Sequence, residues 1–166
     1  MTATNMSGTV LGPEDLDLLA AVLETLLPGD GVMPPASNTG AARAVDGHLA
    51  ERPALRAPIL DALTAVRIAA HASGGDFDTL PEAGRIATLE AVELTHPHVF
   101  DALVVQAYTG YYTDPGVQEA IADLGWDGGI DLLPKDYAWW LKRREQIRAA
   151  GRSSRRRRGW RSTSTA

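Results

Sequence analysis

The side chains able to do chemistry in this 166-residue chain are few, and their spacing works against catalysis. His96 and His98 are two positions apart. On a helix that separation sends them to different sides, whereas a shared metal needs a spacing of three or four. His48 and His71 stand alone within helical patterns, where a packed or surface role is the ordinary one. Asp123, Asp127 and Asp131 recur every fourth residue, but the stretch lacks the alternating ligands and closing glutamate of a calcium loop. Gly74-Gly75 and Gly128-Gly129 follow no strand pattern, so neither reads as a phosphate loop, and no Gly-x-Ser-x-Gly elbow occurs. Cysteine is absent, which removes disulfides, thiolate metal sites and cysteine nucleophiles together. No catalytic, cofactor-binding or metal set is expected in this chain.

What remains is aromatic. Tyr108, Tyr111 and Tyr112 cluster in one short stretch, followed by Trp126 and the adjacent pair Trp139 and Trp140. Amphipathic rings of this kind fill either the protein's own core or a partner surface. Tyr108 reads as core. Tyr111 and Tyr112 are neighbours and cannot both face inward on a helix, so at least one is expected at a partner. Tyr111, Tyr112, Trp126, Trp139 and Trp140 form the expected interface set.

The elements that must position these rings are helical. Pro13, Glu14 and Asp15 open a helix at its favourable end, with Leu16, Leu19, Val22, Leu23, Leu26 and Leu27 as its stripe, closed by Pro28-Gly29. A Pro- and Gly-rich surface loop runs to Gly40. Thr39 then caps a helix to Glu51, with Ala41, Val45, His48 and Leu49 inward, and Pro53 starts a third that ends at Gly74-Gly75. Phe77 and Leu80 bracket the start of a fourth before Pro81. His96-Pro97 begins a fifth, expected to loosen at Gly110, and Asp114-Pro115 caps a sixth that runs to Leu124. Period-two alternation is absent, so the fold class is all-α, a small irregular bundle of about five to seven helices with long loops and disordered termini. The expected boundaries are a disordered segment 1–12, a helical domain 13–134, an amphipathic segment 135–150 and a basic tail 151–166.

Charge divides the chain in the same place. Residues 1–134 carry 5 basic and 19 acidic side chains, and residues 135–166 carry 11 basic and 2 acidic ones. An acidic body argues against a nucleic-acid interface on the folded surface, because phosphate contacts come from clustered Lys and Arg. The run Arg155 to Arg158 leaves open a second reading, a free-standing helical adaptor whose arginine tail binds nucleic acid.

The helix from Leu16 to Pro28, the Met33-Pro34 loop leading to Ala41–Leu49, Phe77-Asp78-Thr79-Leu80 with Arg85, the Phe100 helix, and Gly110-Tyr111-Tyr112-Thr113-Asp114-Pro115 followed by Leu124-Gly125-Trp126 resemble the gluconate 2-dehydrogenase subunit 3 family. The resemblance covers about residues 14 to 127, and the Gly-Tyr-Tyr-x-Asp-Pro string is its most specific part. It implies a non-catalytic small subunit of an FAD-dependent sugar or alcohol dehydrogenase. FAD would belong to a large partner subunit of the glucose-methanol-choline type, accompanied in many complexes by a cytochrome c. Many members begin with a twin-arginine export signal that this sequence does not show. A cytoplasmic complex is therefore expected, periplasmic only if a partner carries it. Windows apolar enough to span a membrane are also absent from the sequence.

Overall fold

The computed structural model describes residues 9–123. The chain divides into two units, residues 1–126 and 127–166, and the architecture below is that of the first. The boundaries expected at 134 and 150 fall outside the described residues.

Six α-helices follow one another without a strand among the described residues: α1 (Pro13–Leu26), α2 (Ala41–Glu51), α3 (Arg56–Ala72), α4 (Glu82–Thr95), α5 (Pro97–Tyr112) and α6 (Pro115–Asp123). The fold is all-α, as the periodicity requires. Proline marks the starts legibly. Pro13, Pro97 and Pro115 occupy first-turn positions, where the missing N–H is no loss. Pro53 departs from expectation: it opens a 3-10 turn, Pro53–Leu55, and α3 begins only at Arg56. The reason is visible in Arg56, whose Nε donates to Leu49 O (2.7 Å) and whose Nη2 donates to Ala50 O (3.1 Å). The guanidinium thus satisfies carbonyls that α2 leaves open at its C-terminal end.

Helix α5 is the centre of the bundle, packing on α2, α3, α4 and α6. Its inward face buries Phe100, Leu103, Val104, Ala107 and Tyr111. Leu19, Val22 and Leu23 of α1 join that core, as do Val45 and Leu49 of α2 and Ile59, Leu63 and Val66 of α3. Burial of each Val, Leu, Ile or Phe side chain in this set contributes about 1.5–3 kcal/mol. Between α1 and α3 an Arg67–Asp15 ion pair at 2.7 Å adds a part-exposed cross-brace, of the kind that contributes about 0–1 kcal/mol. None of the described helices is long and apolar enough to cross a membrane.

Two sequence expectations need correction at the N-terminal side. The segment before Pro13 does have something to bury, since Leu11 is 2% exposed. It is held by Asp46, a buried carboxylate on α2 that accepts from the backbone N–H of Val10 (2.9 Å) and Leu11 (2.8 Å). His48, expected inward, is only half-buried, and Asp46 takes the interior position. The third correction concerns Gly110. Helix α5 does not loosen there but continues to Tyr112. A Cβ on Gly110 would lie 2.7 Å from Ala41 O and 2.9 Å from Val45 Cγ2, so glycine is present because α2 and α5 touch backbone to backbone.

Candidate functional site

Residues Gly110 to Pro115 form a clamp joining α2, the loop 28–40, α5 and α6 through the backbone at Gly110 and the side chains of Tyr111, Thr113 and Asp114. At the end of α5 the Thr113 hydroxyl donates to the carbonyls of Thr109 and Gly110 (3.0 Å each), adding a side-chain donor to the Thr109 carbonyl that the Thr113 N–H already meets at 3.3 Å. Asp114 then faces two helix N-termini at once. Its Oδ1 accepts from Gly116 N (2.9 Å) and Val117 N (3.4 Å) and so caps α6, while Oδ2 accepts from Gly40 N (2.8 Å), directly before α2. The Thr39 hydroxyl helps at the same place, accepting from Ala41 N at 3.2 Å.

The Asp114 carboxyl titrates below its ordinary value because the Gly40 N–H, and then those of Gly116 and Val117, hydrogen-bond to the charged form, against an opposing effect of partial burial. The sign follows directly. A carboxylate with a depressed folded-state pKa stabilises the fold fully above the unfolded value of about 3.9 and loses that contribution as the pH falls through the lower folded value. Asp114→Asn keeps an acceptor but loses the charge. Its deficit in melting temperature relative to the parent is expected to be largest at neutral pH and to shrink as the pH drops below about 4. A deficit that stays constant from pH 7 to pH 3 would refute this account. Asp114→Ala at neutral pH is expected to cost about 0.5–2 kcal/mol, the range for a lost N-cap.

The tyrosines separate. Tyr111 is 1% exposed, and its hydroxyl donates to Pro34 O, pinning the proline-rich loop to α5. The expectation that Tyr111 offers its ring to a partner is therefore corrected: the ring is already used inside the chain. Tyr112, one position on, is half-buried, with its ring edge-on to Tyr111 (5.1 Å between centroids, 83°) and stacked on Tyr108 (6.0 Å, 13°). Tyr108, expected in the core, is also half-buried. The Tyr112 carbonyl accepts from Gln118 Nε2, which ties α6 back to α5. Trp126, Trp139 and Trp140 lie outside the described residues, as do Asp127 and Asp131.

The histidines stay apart: His48 is half-buried on α2, His96 and His98 are exposed at the α4–α5 junction, and His71 lies 3.6 Å from Asp76 at the exposed end of α3. No cluster of three metal-ligating side chains occurs among the described residues. Sequence reading missed the outward-facing aliphatics, Val32 (56% exposed), Ile68 (65%), Leu94 (48%) and Val105 (59%). They sit within apolar helical or loop patterns where composition does not tell the inner from the outer face.

Against this geometry, a model of the family described as gluconate 2-dehydrogenase subunit 3 matches residues 13–129, more than half of the chain. The chain belongs to the gluconate 2-dehydrogenase subunit 3 family. Comparison with curated proteins and with solved structures gave no match. Within the family match fall the Gly110–Pro115 clamp, the loop it holds and all six helices. The motif that carried the resemblance thus turns out to be the joint of the bundle, with most of its side chains directed at the chain itself.

Proposed function

We propose that this chain is a non-catalytic accessory subunit that binds and stabilises a large FAD-containing subunit of an FAD-dependent sugar or polyol dehydrogenase of the glucose-methanol-choline type. The observation that carries the reading is the family match over residues 13–129, whose description is that of a dehydrogenase subunit. Flavin, substrate pocket and catalytic groups belong, on this reading, to the partner, with a cytochrome c as a further member in some assemblies. The contribution of the small subunit is burial. Aromatic and aliphatic side chains cover apolar surface on the flavoprotein at about 25 cal/mol per Å² removed from water. A partner that binds only the folded flavoprotein stabilises it by mass action, by about 2.7 kcal/mol when present at 100 times its dissociation constant.

Tyr112 remains an anchor candidate because its ring is only half-buried; Trp126, Trp139 and Trp140 remain candidates on sequence grounds. Truncating a true anchor to alanine is expected to weaken the complex by about 2 kcal/mol or more. Co-expression is the deciding measurement. The large subunit is expected to be soluble and flavin-loaded only with this chain present. If it is equally soluble, flavin-loaded and active alone, the proposal fails.

A further inference from the structure

The loop between α1 and α2 is tied down along its length, yet its tip projects an aliphatic side chain into solvent. Glu24 Oε2 accepts from Ser37 N (2.7 Å), Asp30 Oδ1 accepts from Met33 N (2.8 Å), Tyr111 donates to Pro34 O, and Asp114 accepts from Gly40 N. Met33 and Ala36 are buried beneath it. Gly29 has φ +77°, and a Cβ there would sit 2.8 Å from Met33 O and Pro35 N, so the turn is closed against its own chain. A loop anchored from α1, α5 and the α5–α6 turn has given up most of its conformational freedom before any partner arrives. Amid these anchors Val32 stays 56% exposed.

Between this tip and α6 runs an open groove of about 540 Å³. Val32, Pro34 and Ala120 supply apolar wall, and Glu119 and Asp123 stand on the α6 side. No Lys or Arg is among the described residues lining it. We propose that the loop tip and groove are a docking surface for the flavoprotein partner: Val32 enters an apolar socket on that subunit, and a Lys- or Arg-bearing segment beside the socket lies along the groove against Glu119 and Asp123. The inference rests on the accessory-subunit reading and specifies where and by what chemistry the partner is met. Preorganisation favours the tip, because an aliphatic side chain on a rigid loop is buried without the cost of ordering the loop. Charge narrows the occupant. Residues 9–123 carry 17 acidic and 5 basic side chains. A second copy of the body would set carboxylates against carboxylates, whereas a basic segment is attracted and its encounter accelerated. Residues 135–166 of this chain, with 11 basic and 2 acidic side chains, are the competing basic segment, and flavoprotein binding that tightens at least tenfold when they are deleted would overturn the assigned occupant.

The test uses the full chain and the flavoprotein that co-purifies with it, with the dissociation constant measured at low and at physiological salt. Val32→Asp is expected to weaken binding at least tenfold, and Val32→Ser by less. Ile68→Asp, at the still more exposed α3 site, is expected to leave binding within twofold. The double variant Glu119→Gln/Asp123→Asn is expected to slow association and flatten its salt dependence. Val32→Asp and the double variant both binding within twofold of the parent would overturn the docking surface while the accessory-subunit reading stood. Loss of self-association in Val32→Asp, with flavoprotein binding intact, would overturn the assigned occupant. If no flavoprotein binds the parent, both readings fall together.

Discussion

Gly110→Ala is expected to destabilise the fold by about 1–3 kcal/mol, the usual cost of forcing an extra methyl group into a close-packed contact. The sign is the test, because two effects oppose each other at this position. Intrinsic helix propensity favours alanine over glycine by about 1 kcal/mol, so at an exposed site in the middle of α5 the substitution would stabilise. Here the new Cβ would meet Ala41 O at 2.7 Å, a backbone atom that cannot swing aside, as well as Val45 Cγ2 at 2.9 Å. Relief requires moving α2 away from α5 across the most extensive helix pair among the described residues. Gly110→Leu leaves no rearrangement short of separating the two helices and is expected to abolish cooperative unfolding. Chemical denaturation followed by circular dichroism reads both, and a more stable Gly110→Ala protein would show that the helices have room to part.

Tyr111→Ala is the second large effect, at about 3–5 kcal/mol, the range for deleting a fully buried aromatic ring. The ring is among the largest fully buried side chains in the structure, and its hydroxyl holds Pro34 O. Tyr111→Phe isolates the second part, keeping the ring and losing the donor, at a cost of about 0.5–1.5 kcal/mol. Pro34 is half-buried, so its carbonyl can recover a bond to water and the lower end of that range applies. The alanine variant is also expected to release the loop 28–40 to limited proteolysis much faster than the phenylalanine variant. Equal cleavage rates would mean the loop is fixed by its other anchors.

Much of this was legible in the chain before any coordinates. The starts of α1, α5 and α6 are written in proline, and the pairing of Asp114 with Pro115 predicts both the cap and the first turn of α6. Side-chain periodicity gives the inward faces of α1 and α5, because a buried stripe must repeat at helical spacing. The misreadings share one physical cause, a residue whose role depends on a distant partner. Gly110 looks like a loosening point locally, and only the arrival of α2 makes it a contact. The inward place given to His48 goes instead to Asp46, which nothing local marks as interior and which residues 10 and 11 hold there through their N–H groups. Adjacent tyrosines signal that one faces in and one does not, but which one is decided by the position of Pro34, 77 residues away in sequence. Asp114 was half legible: its bond to Gly116 is local, and its bond to Gly40 is not.

The Asp46 clip moves the physical edge of the domain upstream of its recognisable edge. Similarity to the family begins at residue 13, yet Val10 and Leu11 already belong to the folded unit through that carboxylate. A chain trimmed to start at Pro13 would keep every helix and still leave an interior anion with its two amide donors gone and an open slot where Leu11 had sat. Where homology starts and where cohesion starts are different coordinates on this protein, and the second is the one a truncation has to respect.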